Sequence, residues 1–135
     1  MARELSFFLD RGLGSRVVAE GLREFGWSLT TMDERYGSSR SQLVRDVDWI
    51  GEASRAGGVI LAKDRAMAKK PLEAEAIYYN EARIFVLSSS RVTGAQMLNW
   101  FLRNSRSIER MATQPGPFVF GVYEDRIARI RLNYP

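Results

Sequence analysis

Gly57-Gly58-Val59-Ile60-Leu61-Ala62-Lys63-Asp64 (57–64) is the stretch from which the fold class is read. Four consecutive apolar residues between a glycine pair and a charged pair have the signature of a short strand buried on both faces. Upstream, Asp46 opens a helical pattern in which Val47, Ile50 and Ala53 share one face, and Gly57-Gly58 ends it. Downstream, Pro71 precedes a short helix carrying Leu72, Ala76 and Tyr79, which leads to a further strand, Ile84 to Leu87. Further out, Leu5 to Leu9 is another apolar run, stopped by Asp10 and a turn over Arg11 to Gly14. Next comes a helix with Val18, Leu22 and Phe25 on one face, Ser15 available as N-cap and Gly26 as C-cap. Trp27 to Met32 reads as a strand, and the polar stretch through Arg40, with Tyr36-Gly37-Ser38-Ser39, as a mobile loop.

A long helix is expected from Thr93 to Met111, with Met97, Phe101, Ile108 and Met111 inward. Pro115-Gly116-Pro117 breaks it, and Phe118 to Tyr123 with Ile127 to Leu132 forms a closing hairpin about Glu124-Asp125-Arg126. Strands alternating with helices imply an α/β fold, a mostly parallel central sheet flanked by helices. No repeat or linker interrupts it, so residues 1–135 are expected to be a single domain.

The chain has 135 residues, 45% of them hydrophobic and 27% charged, enough to bury a core without cross-links. It has no cysteine and no histidine. Cysteine nucleophiles, thiolate- or imidazole-ligated zinc, the Ser-His-Asp triad and imidazole acid-base chemistry are therefore excluded. Any metal should be a hard one, such as Mg²⁺ or Mn²⁺, held by oxygen. The net charge of +4 permits a polyanionic partner without requiring one. The N-terminal stretch lacks the pattern of a signal peptide, and no segment approaches the roughly 20 apolar residues of a membrane span, so a cytoplasmic location is expected.

Two of the buried-strand runs lead into an aspartate, Asp10 and Asp64. In a parallel sheet, ligands bind in the crevice outside the carboxyl ends of the strands, where these two carboxylates could converge. Asp46 and Asp48 open a helix that feeds the Val59 strand, and are expected nearer the opposite edge unless the Arg35 to Arg45 segment brings them round. Clustered carboxylates repel, and the usual relief is a divalent cation or a retained proton. A cation so held can activate a water and stabilise a phosphoryl oxygen. The competing reading of each aspartate is a turn residue or helix cap.

Phe7-Phe8-Leu9-Asp10, then Asp46-Val47-Asp48-Trp49-Ile50, then Gly57-Gly58-Val59-Ile60-Leu61-Ala62-Lys63-Asp64-Arg65 together resemble the PIN-like nucleases. The resemblance is to the VapC-like toxins of bacterial toxin-antitoxin pairs, with their pattern FxxD, D-x-x-W-I and G-x-V-x-L-T-K-D. It covers about residues 5 to 90, and the segment around Gly116-Pro117-Phe118 is also similar. It implies a PIN-like three-layer sandwich and a Mg²⁺- or Mn²⁺-dependent endoribonuclease held inactive by a cognate antitoxin. Asp10, Asp46 and Asp64 match the family's acidic positions, with Asp46 preferred to Asp48 because it lies three residues before Trp49. Two departures stand out: Ala62 replaces the usual threonine, and Ser88-Ser89-Ser90 stands where many members carry a fourth acid.

Lys63, Arg65 and Lys69, with Lys70, surround Asp64 and could hold phosphates, with Lys63 or Arg65 steadying the reacting one. Arg11 invites the same reading, and Ser88 could supply a site hydroxyl. Arg83, Arg91, Arg103, Arg106 and Arg110 could continue a basic track. Trp27, Trp49 and Trp100 are expected in the core, leaving Tyr36 as the candidate for stacking on a base. Two other functions fit the residues: a catalytically degenerate domain binding RNA or a protein partner, and a phosphoacceptor domain using Asp10 or Asp64. A homodimer is compatible with each.

Overall fold

Register organises the core. In the computed structural model, which describes residues 5–14, 16–89 and 91–134, Phe8, Ile60, Ile84 and Val119 stand side by side across four strands, and so do Leu9, Leu61, Phe85 and Phe120. Because successive side chains on a strand point to opposite faces, the first row enters one hydrophobic cluster and the second row the other. Val59, Ile60, Leu61 and Ala62 are all fully buried. Each large apolar side chain so placed contributes about 1.5–3 kcal/mol relative to exposure.

The strands are β1 (Ser6–Leu9), β2 (Ser28–Thr31), β3 (Val59–Ala62), β4 (Arg83–Leu87), β5 (Phe118–Val122) and β6 (Ile127–Ile130). They form one sheet in the order β2-β1-β3-β4-β5-β6. The first five are parallel, and β6 closes the sheet antiparallel to β5, as the hairpin reading expects. The helices are α1 (Val17–Phe25), α2 (Met32–Tyr36), α3 (Asp46–Arg55), α4 (Pro71–Tyr79), α5 (Gly94–Arg103) and α6 (Ser105–Ala112), with 3-10 turns at Arg11–Leu13 and Arg65–Ala68. The cluster on one face draws on α1, α5 and α6, and the cluster on the other on α2, α3 and α4. The result is a three-layer α/β sandwich.

Three local features depart from the sequence reading. The stretch after β2 contains α2, because Thr31 and Glu34 form a capping box: the Glu34 N–H donates to Thr31 Oγ1 (3.1 Å) and the Thr31 N–H to Glu34 Oε1 (2.9 Å). The long helix is divided at buried Asn104, whose side-chain amide donates to the carbonyls of Trp100 (2.8 Å) and Tyr123 (2.7 Å). That competition with the helical ladder ends α5 and docks the junction onto the end of β5. The stretch after Gly37 is anchored through Ser41, which is fully buried and donates to Asp33 Oδ1 (2.6 Å). Gly26 ends α1 with φ 115°, as expected, whereas the Ser15 cap lies outside the described residues.

Candidate active site

β1 lies between β2 and β3, so the chain leaves its first strand in one direction and returns on the other side. The carboxyl ends of β1 and β3 are therefore the topological switch point, where loops diverge and leave a crevice. Asp10 stands at the end of β1, its N–H donating to the Leu61 carbonyl (2.9 Å), and Lys63-Asp64 follows β3. Gly12 lies between the two: a Cβ on it would sit 3.1 Å from Lys63 Cβ and 3.4 Å from Asp10 Oδ2.

Asp46 stands at the same edge, brought round by the segment before α3 rather than left at the opposite edge, as the family resemblance implies. α3 runs antiparallel to the strand it feeds, so its last residues meet the start of β3 and its first residues stand at the carboxyl edge. Its ten residues span about 15 Å, the depth of the sheet. Trp49 explains the three-residue spacing to Asp46: one helical turn on, its indole N–H donates to Asp46 Oδ1 (2.9 Å). The same fully buried indole stacks on Phe8 of β1, ring centroids 5.7 Å apart. Asp46 is thus tied to the strand that carries Asp10.

Burial first, and the charge of Asp46 second, push the Asp10 carboxyl above the usual aspartate range. The Arg11 guanidinium and the N–H groups of Gly12 and Arg11 pull the other way. Asp48 is turned outward, its carboxylate paired with Arg45 at 3.0 Å. Asp64 caps the turn after β3, with Oδ1 accepting from the Ala66 N–H (2.9 Å). Among the described residues, no group of three or more acidic side chains is disposed to hold a metal ion together. Asp10 and Asp46, two oxygen donors that repel each other at a half-buried edge, suit a hard divalent cation.

On the same sheet edge, beyond the Lys63 stem that abuts Gly12, opens a cleft of about 390 Å³ lined by Lys63, Asp64, Arg65, Lys69, Ser88 and Arg91; neither Asp10 nor Asp46 lines it. Four cations face one carboxylate there. Among the described residues none of the four forms an ion pair, whereas Arg23, Arg35, Arg45, Arg103 and Arg126 elsewhere do. Unneutralised cations in a concave site attract an anion. Ser88 is held at the cleft by its N–H, which donates to the Val122 carbonyl (2.9 Å); Ser90 lies outside the described residues.

Of the residues expected to continue a basic track, Arg91 lines the cleft and the others lie elsewhere. Arg83 binds the carbonyls of Gly57 (2.8 Å) and Ala112 at the amino edge, Arg103 reaches Glu124, and Arg106 and Arg110 are exposed on α6. Arg11, expected to bind phosphate, instead directs its terminal nitrogens to the carbonyls of Gln42 (3.2 Å) and Val44. Tyr36, expected to stack on a base, ends α2 and donates its hydroxyl to Glu52 Oε1 (2.8 Å); burial, then Glu52, raises its pKa to about 12. Trp27 and Trp49 are buried, and Trp100 packs against the core. Reading the sequence missed Gly12 as a spacer and Glu109, which accepts from the Trp27 indole (2.8 Å).

The chain matches the PIN like domain family over residues 5–89. Over 123 residues, 91% of this chain and 89% of the relative, it is 32% identical to a protein of Mycobacterium tuberculosis named "Putative ribonuclease VapC45". No solved structure matches it. The six-stranded order, the switch-point aspartate and these matches agree, and the chain belongs to the PIN-like domain family, in its VapC-like branch.

Proposed function

We propose that the protein is a divalent-metal-dependent endoribonuclease, acting through the edge that carries Asp10. The observation carrying this reading is that the Asp10–Asp46 pair shares the carboxyl edge of the sheet with a cleft of four cations that lack acidic partners among the described residues. The ribonuclease name of the related protein supports the same substrate class. Asp10 and Asp46 would hold Mg²⁺ or Mn²⁺, with Asp64 contributing from the neighbouring strand. A bound ion of this kind lowers the pKa of a water and stabilises charge on a phosphoryl oxygen. Lys63 and Arg65 orient the reacting phosphodiester, while Lys69, Arg91 and the Ser88 hydroxyl hold the flanking backbone.

In the VapC-like setting the nuclease is the toxin of a pair, restrained in the cytoplasm by a cognate antitoxin, and it acts as one domain spanning 1–135, alone or as a homodimer. Purified protein should cleave RNA with Mg²⁺ or Mn²⁺ and stop with chelator. Asp10→Asn and Asp46→Asn should each lower cleavage by at least about 100-fold; full activity in both variants would sink the assignment. A second reading, a degenerate domain that binds RNA or a protein without cutting, draws on the lack of a three-acid grouping among the described residues. It expects salt-sensitive RNA binding with no product under either ion.

A further inference from the structure

We propose that Arg11 is a positioning residue: by holding the carbonyls of Gln42 and Val44, it fixes the segment that delivers Asp46 to the edge beside Asp10. The proposal rests on the metal-site reading of that edge. Residues 37–45 contain neither helix nor strand, yet they must carry the chain from the end of α2 back to the carboxyl edge, where α3 begins. A nine-residue connection without regular structure has many conformations available, and each would start α3 at a different point. Turns inside the segment, the Ser41 N–H to the Gly37 carbonyl (2.8 Å) and the Leu43 N–H to the Arg40 carbonyl (2.9 Å), shape it locally, and side-chain contacts at two points tie it to the rest of the fold. Ser41 is buried and bound to Asp33, which fastens the near half of the segment to α2. Arg11 fastens the far half, one guanidinium nitrogen on Gln42 and the other on Val44, two residues before Asp46.

Arg11 adjoins Asp10 in the chain, so one short stretch carries the first carboxylate and the device that places the second. Its planar guanidinium spans two carbonyls that a lysine ammonium, a point donor, holds less well. Its Nε is buried and has no partner, so the side chain adopts the orientation that serves the segment and leaves one of its own donors unmet.

The test uses the full chain and four variants: Arg11→Met, Arg11→Lys, Asp46→Asn and the Arg11→Met/Asp46→Asn double variant. Circular dichroism establishes that each is folded. Mn²⁺ uptake is followed by the resonance signal of the free ion, and amide exchange is followed across residues 38–46. Arg11→Met should accelerate exchange across 38–46 and weaken Mn²⁺ binding about tenfold, with Arg11→Lys recovering part of both. The double variant should bind Mn²⁺ no more weakly than Asp46→Asn alone, because Arg11 acts through that residue. Unchanged exchange, or losses that multiply in the double variant, would overturn the proposal. If the unaltered protein takes up no Mn²⁺, the metal reading fails by itself, and exchange across 38–46 decides the role of Arg11: faster in Arg11→Met sustains it, unchanged refutes it.

Discussion

Arg11 and Arg83 make the same kind of contact at opposite edges of one sheet, each guanidinium bridging two backbone carbonyls from separate segments. At the amino edge, Arg83 ties the turn before β3 to the end of α6, beside a cavity of about 630 Å³. At the carboxyl edge, Arg11 ties the approach to α3 beside Asp10 and lines a smaller cavity of about 170 Å³, while the cleft of cations on the same edge measures about 390 Å³. Loops that leave the carboxyl ends of parallel strands diverge at a switch point, and the half-buried carboxyl lies there, on the same edge as the cations that form no ion pair among the described residues.

The amino edge should play no part in ion binding. Arg83→Met should lower stability by about 1–2 kcal/mol, through two carbonyls left without their donor, and leave Mn²⁺ affinity unchanged. Denaturant unfolding and an ion titration measure the two, and weakened ion binding would erase the distinction. The cations assigned to the flanking backbone should act on RNA binding alone: Lys69→Gln should raise KM for RNA several-fold with little change in kcat and lower the slope of log affinity against log salt by about 0.7. A change confined to kcat would move Lys69 from holding the backbone to the chemical step.

The smallest expected effect is on stability against pH. Because the folded Asp10 carboxyl titrates above its ordinary value of 3.8, the protonated form favours the fold. That contribution is complete below about pH 3.8 and is lost as pH rises through the raised value. Metal-free Asp10→Asn should therefore be the more stable protein at neutral pH, by a small rise in Tm, and should lack this part of the pH slope. Equal profiles in thermal scans at pH 4 and pH 7 would remove the burial and charge penalty assigned to the ionised Asp10.

The strands were legible in the sequence because buried parallel strands are uninterrupted apolar runs: Phe7 to Leu9, Val59 to Ala62 and Ile84 to Leu87 need no tertiary knowledge to be seen. The helix Met32–Tyr36 was also written there, in the Thr31–Glu34 capping pair, but its five residues carry too little periodicity to stand out. The division at Asn104 was not legible, since it depends on the Tyr123 carbonyl 19 residues away. At the candidate site, strand-end aspartates and flanking cations could be found by position alone. The partners of Arg11 lie 31 and 33 residues away in an irregular segment, and no local pattern announces such a contact.

Asp46 and Asp48 stand two residues apart on one helix, one tied to Trp49 within electrostatic reach of Asp10, the other paired outward with Arg45. RNA cleavage by Asp46→Asn and Asp48→Asn, side by side in Mn²⁺, tests the assignment of the edge most directly. The account predicts a loss of at least about 100-fold for Asp46→Asn and a change within about twofold for Asp48→Asn. The reverse order, or equal activity in both, would contradict it.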